Sequence, residues 1–422
     1  MKKMNTSPIS GTQELLPEVQ AVFDKLKQKV AENYKAHGYL NVETPILERT
    51  EILLAKAGGD TEKQIYKVAK TNESMEDATE ALRFDHTVPL ARYIVEHESE
   101  LNFPLKVSQM GECFRGERAQ RGRFRELYQC DVDVIGRGDL PLFYDVDVIS
   151  TLLDAFLSFD LKTPVIARIS NRKILKGLLS GLNLQEKAAD VYSIIDHSEK
   201  VPAEKTEAAL DEIGLSPDEK AKILAFIYLN GEAEVVVDGI RKLGVENEIL
   251  SEGLDELTEV TRLLKADSYT NFVVDMKIVR GLDYYTGTVF EFILPEYKDI
   301  GSVCGGGRYE NLAEYFTEQK FPGVGGSIGL SRLFFVLNDK KLIDFVSEKP
   351  IEAAVVPISE SENQYALKVA KEIRGKGLSV TVVATDKKLG DKMKYASKIA
   401  KAAIVIGENE VAAGTYEIKK FN

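Results

Sequence analysis

Apolar residues in this chain recur with two periods, and the alternation between them lays out the elements. Residues 18–37 place Val19, Val22, Phe23, Leu26, Val30 and Tyr34 at helical spacing with charges between them, and Gly38 ends the run. YLNVETPIL (39–47) predicts a strand with Pro45 near its end, and 64–69 predicts a short one. The acidic stretch 72–80 predicts an exposed turn. At 81–95 a strand is expected to turn at Pro89 into a helix, with Asp85, His86 and Thr87 at the turn.

Residues 105–135 predict two antiparallel strands joined by a short basic loop. In the second, Phe124, Tyr128, Cys130, Val132 and Val134 share a core-facing side. Arg123, Arg125, Gln129, Asp131 and Asp133 share the other, and Arg115 and Glu117 share a face in the first. A helix at 141–159 and a strand at 164–170 follow. From about 171 to 262 the pattern is helical, charge-mixed and nearly free of strand signals, with an N-cap and capping box at Ser216-Pro217-Asp218-Glu219. Strand character returns at 271–279 and 284–294, in the glycine cluster 301–309, and at 323–328 before another helix. From 351 onward strand and helix alternate, which predicts a small α/β domain with a mostly parallel sheet.

Length changes this picture only by allowing two or three domains within 422 residues. The first residues contain no apolar core of the kind a signal peptide needs, and no run approaches a membrane span. Three cysteines without CxxC spacing argue against a zinc site or a disulfide framework, and suit reduced cytosolic thiols. Charge adds more. Five arginines against one glutamate between 115 and 125 give about +4 locally, in a chain of net charge −12. That reversal favours an anion site over a solvated face of cross-strand ion pairs.

Candidate chemistry narrows by spacing. GVGGSIG (323–329) misses G-x-G-x-x-G, CGGGRY (304–309) lacks a βαβ context and precedes an ordinary helix, and no G-x-x-x-x-G-K-[ST] occurs. The spacing argues against a dinucleotide or P-loop site, and the glycines suit close approach of backbone to a ligand. The four histidines are scattered, and no serine or cysteine has an evident partner base, so covalent catalysis is not expected. RGLDYYTGTVFEF (280–292) sets an Arg, an Asp and two adjacent tyrosines before a strand. One tyrosine can pack while the other holds a polar ligand.

Together these segments resemble the histidyl-tRNA synthetase family of class II. GYLNVETPILE (38–48), FRGERAQRGRFRELYQCDVD (114–133) and GLSRL (329–333) resemble the three class II motifs. RGLDYYTGTVFE and SVCGGGRY resemble the two signatures of the histidine enzymes. The resemblance implies an α+β catalytic core built on an antiparallel sheet (the class II synthetase fold) over 1–170 and 263–340. It also implies a helical insertion at 171–262 and a C-terminal α/β anticodon-binding domain at 350–422, shortened at its end. It implies a cytoplasmic homodimer, with no membrane association, that makes histidyl-adenylate from L-histidine and ATP with Mg²⁺ and passes histidine to tRNA(His). The alternative is a non-catalytic paralogue such as the regulatory subunit of ATP phosphoribosyltransferase, which usually lacks the anticodon domain.

By the same resemblance Arg115 and Arg280 are catalytic, on the reacting phosphate and carboxylate, and Arg115, Glu117, Arg123 and Arg332 bind ATP. Asp85, Thr87, Gln129, Asp133, Tyr284, Tyr285, Gly305 and Gly306 bind histidine. Arg118 and Gln120 meet the tRNA acceptor end, no metal has a fixed protein site, and lysines 387, 388, 392, 394, 398 and 401 suit tRNA phosphates. Leu127 replaces the usual adenine-stacking Phe, Asp133 replaces a longer Glu, and His86 stands where relatives carry an apolar residue.

Overall fold

The computed structural model describes residues 4–55, 62–279, 285–311, 313–343, 349 and 351–421. The chain packs as two units, residues 1–13 with 27–343, and residues 14–26 with 344–422.

In chain order the described residues of the first unit run from α1 (Pro17–Ala36, shared with the second unit) through β1 (Leu40–Asn41), β2 (Leu47–Arg49) and α2 (Thr50–Leu54). Then come β3 (Lys67–Val68), β4 (Glu80–Leu82), α3 (Thr87–Glu96), β5 (Leu105–Phe114), β6 (Glu126–Ile135) and α4 (Phe143–Ser158). The next elements are β7 (Ile166–Asn171), α5 (Arg172–Gly181), α6 (Ala188–His197), α7 (Ala203–Glu212), α8 (Pro217–Ile227), β8 (Asn230–Gly231), α9 (Ala233–Arg241) and α10 (Glu248–Ala266). The unit finishes with β9 (Phe272–Asp275), β10 (Tyr285–Ile293), β11 (Cys304–Tyr309), β12 (Gly323–Gly329) and α11 (Leu330–Lys340). Nine strands form one sheet in the order β1-β5-β6-β12-β11-β10-β7-β9-β8, while β2, β4 and β3 form a small separate sheet.

The six strands from β5 to β7 pair antiparallel throughout, as expected. The flanks differ, because β1 joins β5 and β9 joins β7 in parallel, so the whole sheet is mixed. Alternation along β6 sends Cys130, Val132 and Val134, all fully buried, to the face covered by helices. There Tyr34 at the end of α1 donates to the Cys130 carbonyl at 2.9 Å. Phe156 of α4 stacks on Phe292 of β10 at 5.3 Å, and each such buried ring contributes about 1.5–3 kcal/mol.

Several expectations are corrected. The strand expected at 39–47 is split into β1 and β2, because the Thr44 carbonyl between them accepts from Arg83 Nη1 at 2.9 Å instead of a neighbouring strand. The helix expected from Pro89 starts at Thr87. Proline fits its first turn, where a missing N–H costs nothing, and Asp85 Oδ1 accepts from the Val88 N–H at 3.0 Å. No helix follows β11 among the described residues, and the chain turns at 313–316 before returning as β12. The helical stretch 171–262 is not strand-free, since β8 pairs with β9 as the sheet edge. Two residues, Asn-Gly, are too short to show alternation. Of its helices, α5, α8 and α10 are capped by Asn171, by the Ser216–Glu219 capping box and by Asn247.

The second unit holds β13 (Ile351–Pro357), α12 (Asn363–Gly375), β14 (Val380–Val382), α13 (Leu389–Ile399), β15 (Ala400–Ile406), α14 (Glu408–Ala413) and β16 (Lys419–Lys420). Its sheet runs β14-β13-β15-β16, parallel except for β16. Ala353 and Val355 pack with Ala366, Val369 and Ile373 of α12, while Ala354 and Val356 pack with Ala396 and Met393 of α13. Period-two burial thus puts a helix on each face. Lys392 leaves the set suited to phosphates, because it is buried and donates to the carbonyls of Pro357 and Ile358.

One ion pair ties β11 to α4. The Arg308 guanidinium lies 2.8 Å from Asp145 Oδ1 and also donates to the carbonyls of Leu140 and Pro141. Burial pushes the Asp145 carboxyl up although Arg308 pulls it down. Arg308→Met, which strands that carboxyl, should lower stability in urea unfolding by about 3–5 kcal/mol, and adding Asp145→Leu should recover most of the loss.

Candidate functional site

The strand register decides which side chains meet on the open face of the sheet. Across the β6–β12 pair, Gly325 lies opposite Asp133, Ser327 opposite Asp131 and Gly329 opposite Gln129. A cavity of about 480 Å³ opens over this patch. Of the residues proposed from sequence, Asp85, Thr87, Arg115, Glu117, Arg123, Gln129, Asp133, Tyr285, Gly305 and Arg332 line it together, and Leu127 lies beside them.

Its arginines come from distant parts of the sequence. Arg115 follows β5, stacks over the Phe84 ring at 4.6 Å, and donates Nε to the Phe84 carbonyl and Nη2 to Gln129 Oε1 at 3.2 Å. A guanidinium has five N–H groups, so donors remain for an anion. Arg332 comes from the first turn of α11 and donates to the Ile300 carbonyl. Arg123 sits 3.5 Å from Glu117 Oε2, a partly exposed pair that a ligand can reopen. Arg125, grouped with this row by alternation, precedes β6 and instead donates to the carbonyls of Ser10 and Glu117.

The acidic end is buried. Gln129, Asp131 and Asp133 are each under a tenth exposed. Asp133 Oδ1 accepts from the Tyr309 hydroxyl at 3.0 Å. Burial first, then the charge of Asp131, pushes its carboxyl well above the usual range. Burial also raises Asp85, against the Val88 N–H and Arg115, which favour its charged form. Such a pocket selects a cation carrying N–H donors. Glycine at 325 makes room for it, because a Cβ there would stand 1.9 Å from Asp133 Oδ1.

Some residues fall elsewhere. Gly306 is on the other face of β11, where a Cβ would meet Phe290 Cζ at 2.4 Å, so it packs against the helical layer and does not line the cavity. Arg118 and Gln120 lie exposed in the β5–β6 loop, outside the cavity. Arg280 and Tyr284 lie outside the described residues. His197 is exposed in the helical stretch, as expected. Sequence reasoning gave no role to Phe84, Ser327 or Tyr309, all of which line the cavity. Tyr309 closes the CGGGRY signature, and that position was its only signal.

Comparison with known proteins agrees with this geometry. The histidyl-tRNA synthetase family model matches residues 11–333, and an anticodon-binding-domain model matches residues 352–422. The histidine–tRNA ligase of Clostridium tetani is 42% identical, covering 99% of this chain and 95% of its own. That of Clostridium acetobutylicum is 40% identical, covering 99% and 96%. The crystal structure of histidyl-tRNA synthetase from Nostoc sp. PCC 7120 superposes with a TM-score of 0.87 at 34% identity, covering 99% of this chain and 95% of that one. A Bacillus halodurans structure described as an ATP phosphoribosyltransferase regulatory subunit/histidyl-tRNA synthetase gives 0.79 over 96% of this chain and 99% of that one. At 21% identity this is a likeness of fold alone. The similar curated proteins are ligases, which disfavours the regulatory alternative. The chain belongs to the histidyl-tRNA synthetase family, and its activity is the ligation of histidine to tRNA.

Proposed function

We propose that the β6–β12 cavity joins histidine to ATP as histidyl-adenylate, then delivers histidine to the terminal ribose of tRNA(His). The observation that carries this reading is the convergence of Arg115, Arg123 and Arg332 with Asp85, Gln129 and Asp133 in one cavity. In the first step the histidine carboxylate attacks the α-phosphate and pyrophosphate leaves. The protein's task is to position two anions and to stabilise charge as it develops. Arg115, already oriented by Phe84 and Gln129, takes the α-phosphate. Arg123 and Arg332 take the outer phosphates, Glu117 the adenine amino group, and Leu127 covers the base. Mg²⁺ supplies further charge neutralisation when bound; it dehydrates reluctantly and is expected to arrive on the triphosphate. Arg280, by its place in the family signature, takes the reacting phosphate and carboxylate.

Asp85, Thr87 and Gln129 receive the ammonium. Asp133 and Tyr285 pair the two imidazole nitrogens, with Tyr284 beside them and Gly305 below. A site that pairs both ring nitrogens leaves polar groups unanswered with any other side chain, which can be worth about 10⁴–10⁵ in discrimination. Arg118 and Gln120 are exposed where an acceptor end can reach them, and the exposed lysines 387, 388, 394 and 398 suit anticodon-arm phosphates. We assign the catalytic core to 1–170 and 263–340, the insertion to 171–262 and the anticodon domain to 350–422. A homodimer is supported by Leu40, Ile46 and Leu47, each at least 40% exposed around Pro45. A cytoplasmic setting is supported by the free cysteines Cys113, Cys130 and Cys304.

Purified protein should exchange pyrophosphate into ATP only when histidine is present, and Arg115→Ala should slow that exchange by roughly 10²–10³. Exchange that ignores histidine would refute the reading. Asp133 gives a second test. Its folded pKa is raised, so the folded state holds the proton longer than the unfolded one. Its contribution to stability is complete below the unfolded pKa of about 4 and is lost as pH rises through the folded value. Asp133→Asn should therefore melt higher than wild type by a margin that grows as pH rises above the unfolded value of about 4, while the KM for histidine rises. Parallel pH–stability curves would count against it.

A further inference from the structure

Behind the cavity wall sits a buried imidazole with no part in the chemistry above. His86 occupies the position just before α3, between Asp85 and Thr87, and is 1% exposed. Neither ring nitrogen has an aligned hydrogen-bond partner among the described residues. Its Nδ1 nevertheless lies 3.3 Å from Asp131 Oδ2, itself almost out of solvent. The other oxygen of Asp131 accepts from the Ser327 hydroxyl. Ser327 Oγ in turn accepts from Gln129 Nε2 at 2.8 Å, and Gln129 Oε1 accepts from Arg115 at 3.2 Å.

The polarity of that chain matters more than its length. A glutamine amide can turn end for end at little steric cost, so its neighbours must dictate which end faces the substrate. Ser327 has one proton. Spent on Asp131, it leaves the hydroxyl able only to accept from Gln129, which turns the amide oxygen toward Arg115 and the ammonium site. The arrangement holds while Asp131 stays an acceptor in a fixed place. Two further carboxyls, Asp85 and Asp133, crowd that position, and the charge of Asp131 raises both. Gln109, opposite Asp131 on β5, directs one of its two amide N–H groups to Thr44 Oγ1 at 3.0 Å.

We infer that His86 is a positioning residue for histidine activation: through Asp131 and Ser327 it sets the orientation of Gln129, and through Gln129 that of Arg115. It touches neither substrate. This inference rests on the roles proposed for Gln129 and Arg115.

The test uses the full chain in ATP–pyrophosphate exchange, varying histidine and ATP separately, with a thermal melt of each variant. His86→Leu keeps an apolar filling but no donor, and should raise the histidine KM and lower kcat, each roughly tenfold, as a coupled contact of this kind allows. The KM for ATP should stay within about twofold. His86→Asn, whose amide can place an N–H where Nδ1 stood, should restore most of the loss. Ser327→Ala should reproduce the histidine-KM defect, and combining it with His86→Leu should add little. A wild-type histidine KM in His86→Leu, an Asn variant as impaired as the Leu variant, or full additivity with Ser327→Ala would overturn the inference. If His86→Leu does not fold, the Asn and Ser327→Ala variants decide it. Histidine-independent exchange by the wild type would instead sink the underlying assignment of roles.

Discussion

A carboxylate held out of water must be answered by a proton or by a cation, and Asp85, Asp131 and Asp133 share one cavity wall. Like charges so placed cannot all ionise without partners. Burial first, then the charge of neighbouring carboxylates, raises the pKa of Asp85 and Asp133, so a ligand bringing positive charge and N–H donors answers groups that lack them. At the other end Arg115, Arg123 and Arg332 want anions. One cavity thus offers carboxylates to a cation and guanidinium groups to an anion.

Backbone register brings sequence-distant residues into this cavity. Each strand contributes every second side chain to the cavity face, and the antiparallel β6–β12–β11 run places glycine where a ligand or a neighbouring carboxylate needs room. The face beneath is an ordinary core of α4, Phe290 and Phe292. Gly306 belongs to that core: its hydrogen lets β11 and β12 lie close over Phe290. Two adjacent glycines in one signature therefore do different work, set by the pleat.

Legibility in the sequence followed the same physics. Long segments such as β5, β6, α4 and the alternating second unit are readable because each runs far enough for its apolar pattern to show. The two-residue strand β8 is not, since two residues have no period, and the Thr44–Pro45 bend depends on Arg83 arriving from elsewhere. Within the site, charged residues in dense motifs were identified and most were found together. Ser327 was invisible as a partner of Asp131 because only the β6–β12 register brings it there. Lys392 reads as an exposed cation in sequence, yet its ammonium serves two carbonyls at the end of β13.

The order of strands also bears on how such a molecule is made. Gln129 and Ser327 stand 198 positions apart, yet they share a hydrogen bond at the centre of the sheet. A ribosome releasing the chain from its amino end exposes the β5–β6 hairpin long before the strand that covers its flank has been synthesised. The growing polypeptide therefore carries an open, partly apolar edge from the end of β6 at Ile135 until β12 begins at Gly323. Fragments ending before β12 lack Gly325, Ser327 and Arg332, and with them one side of the cleft.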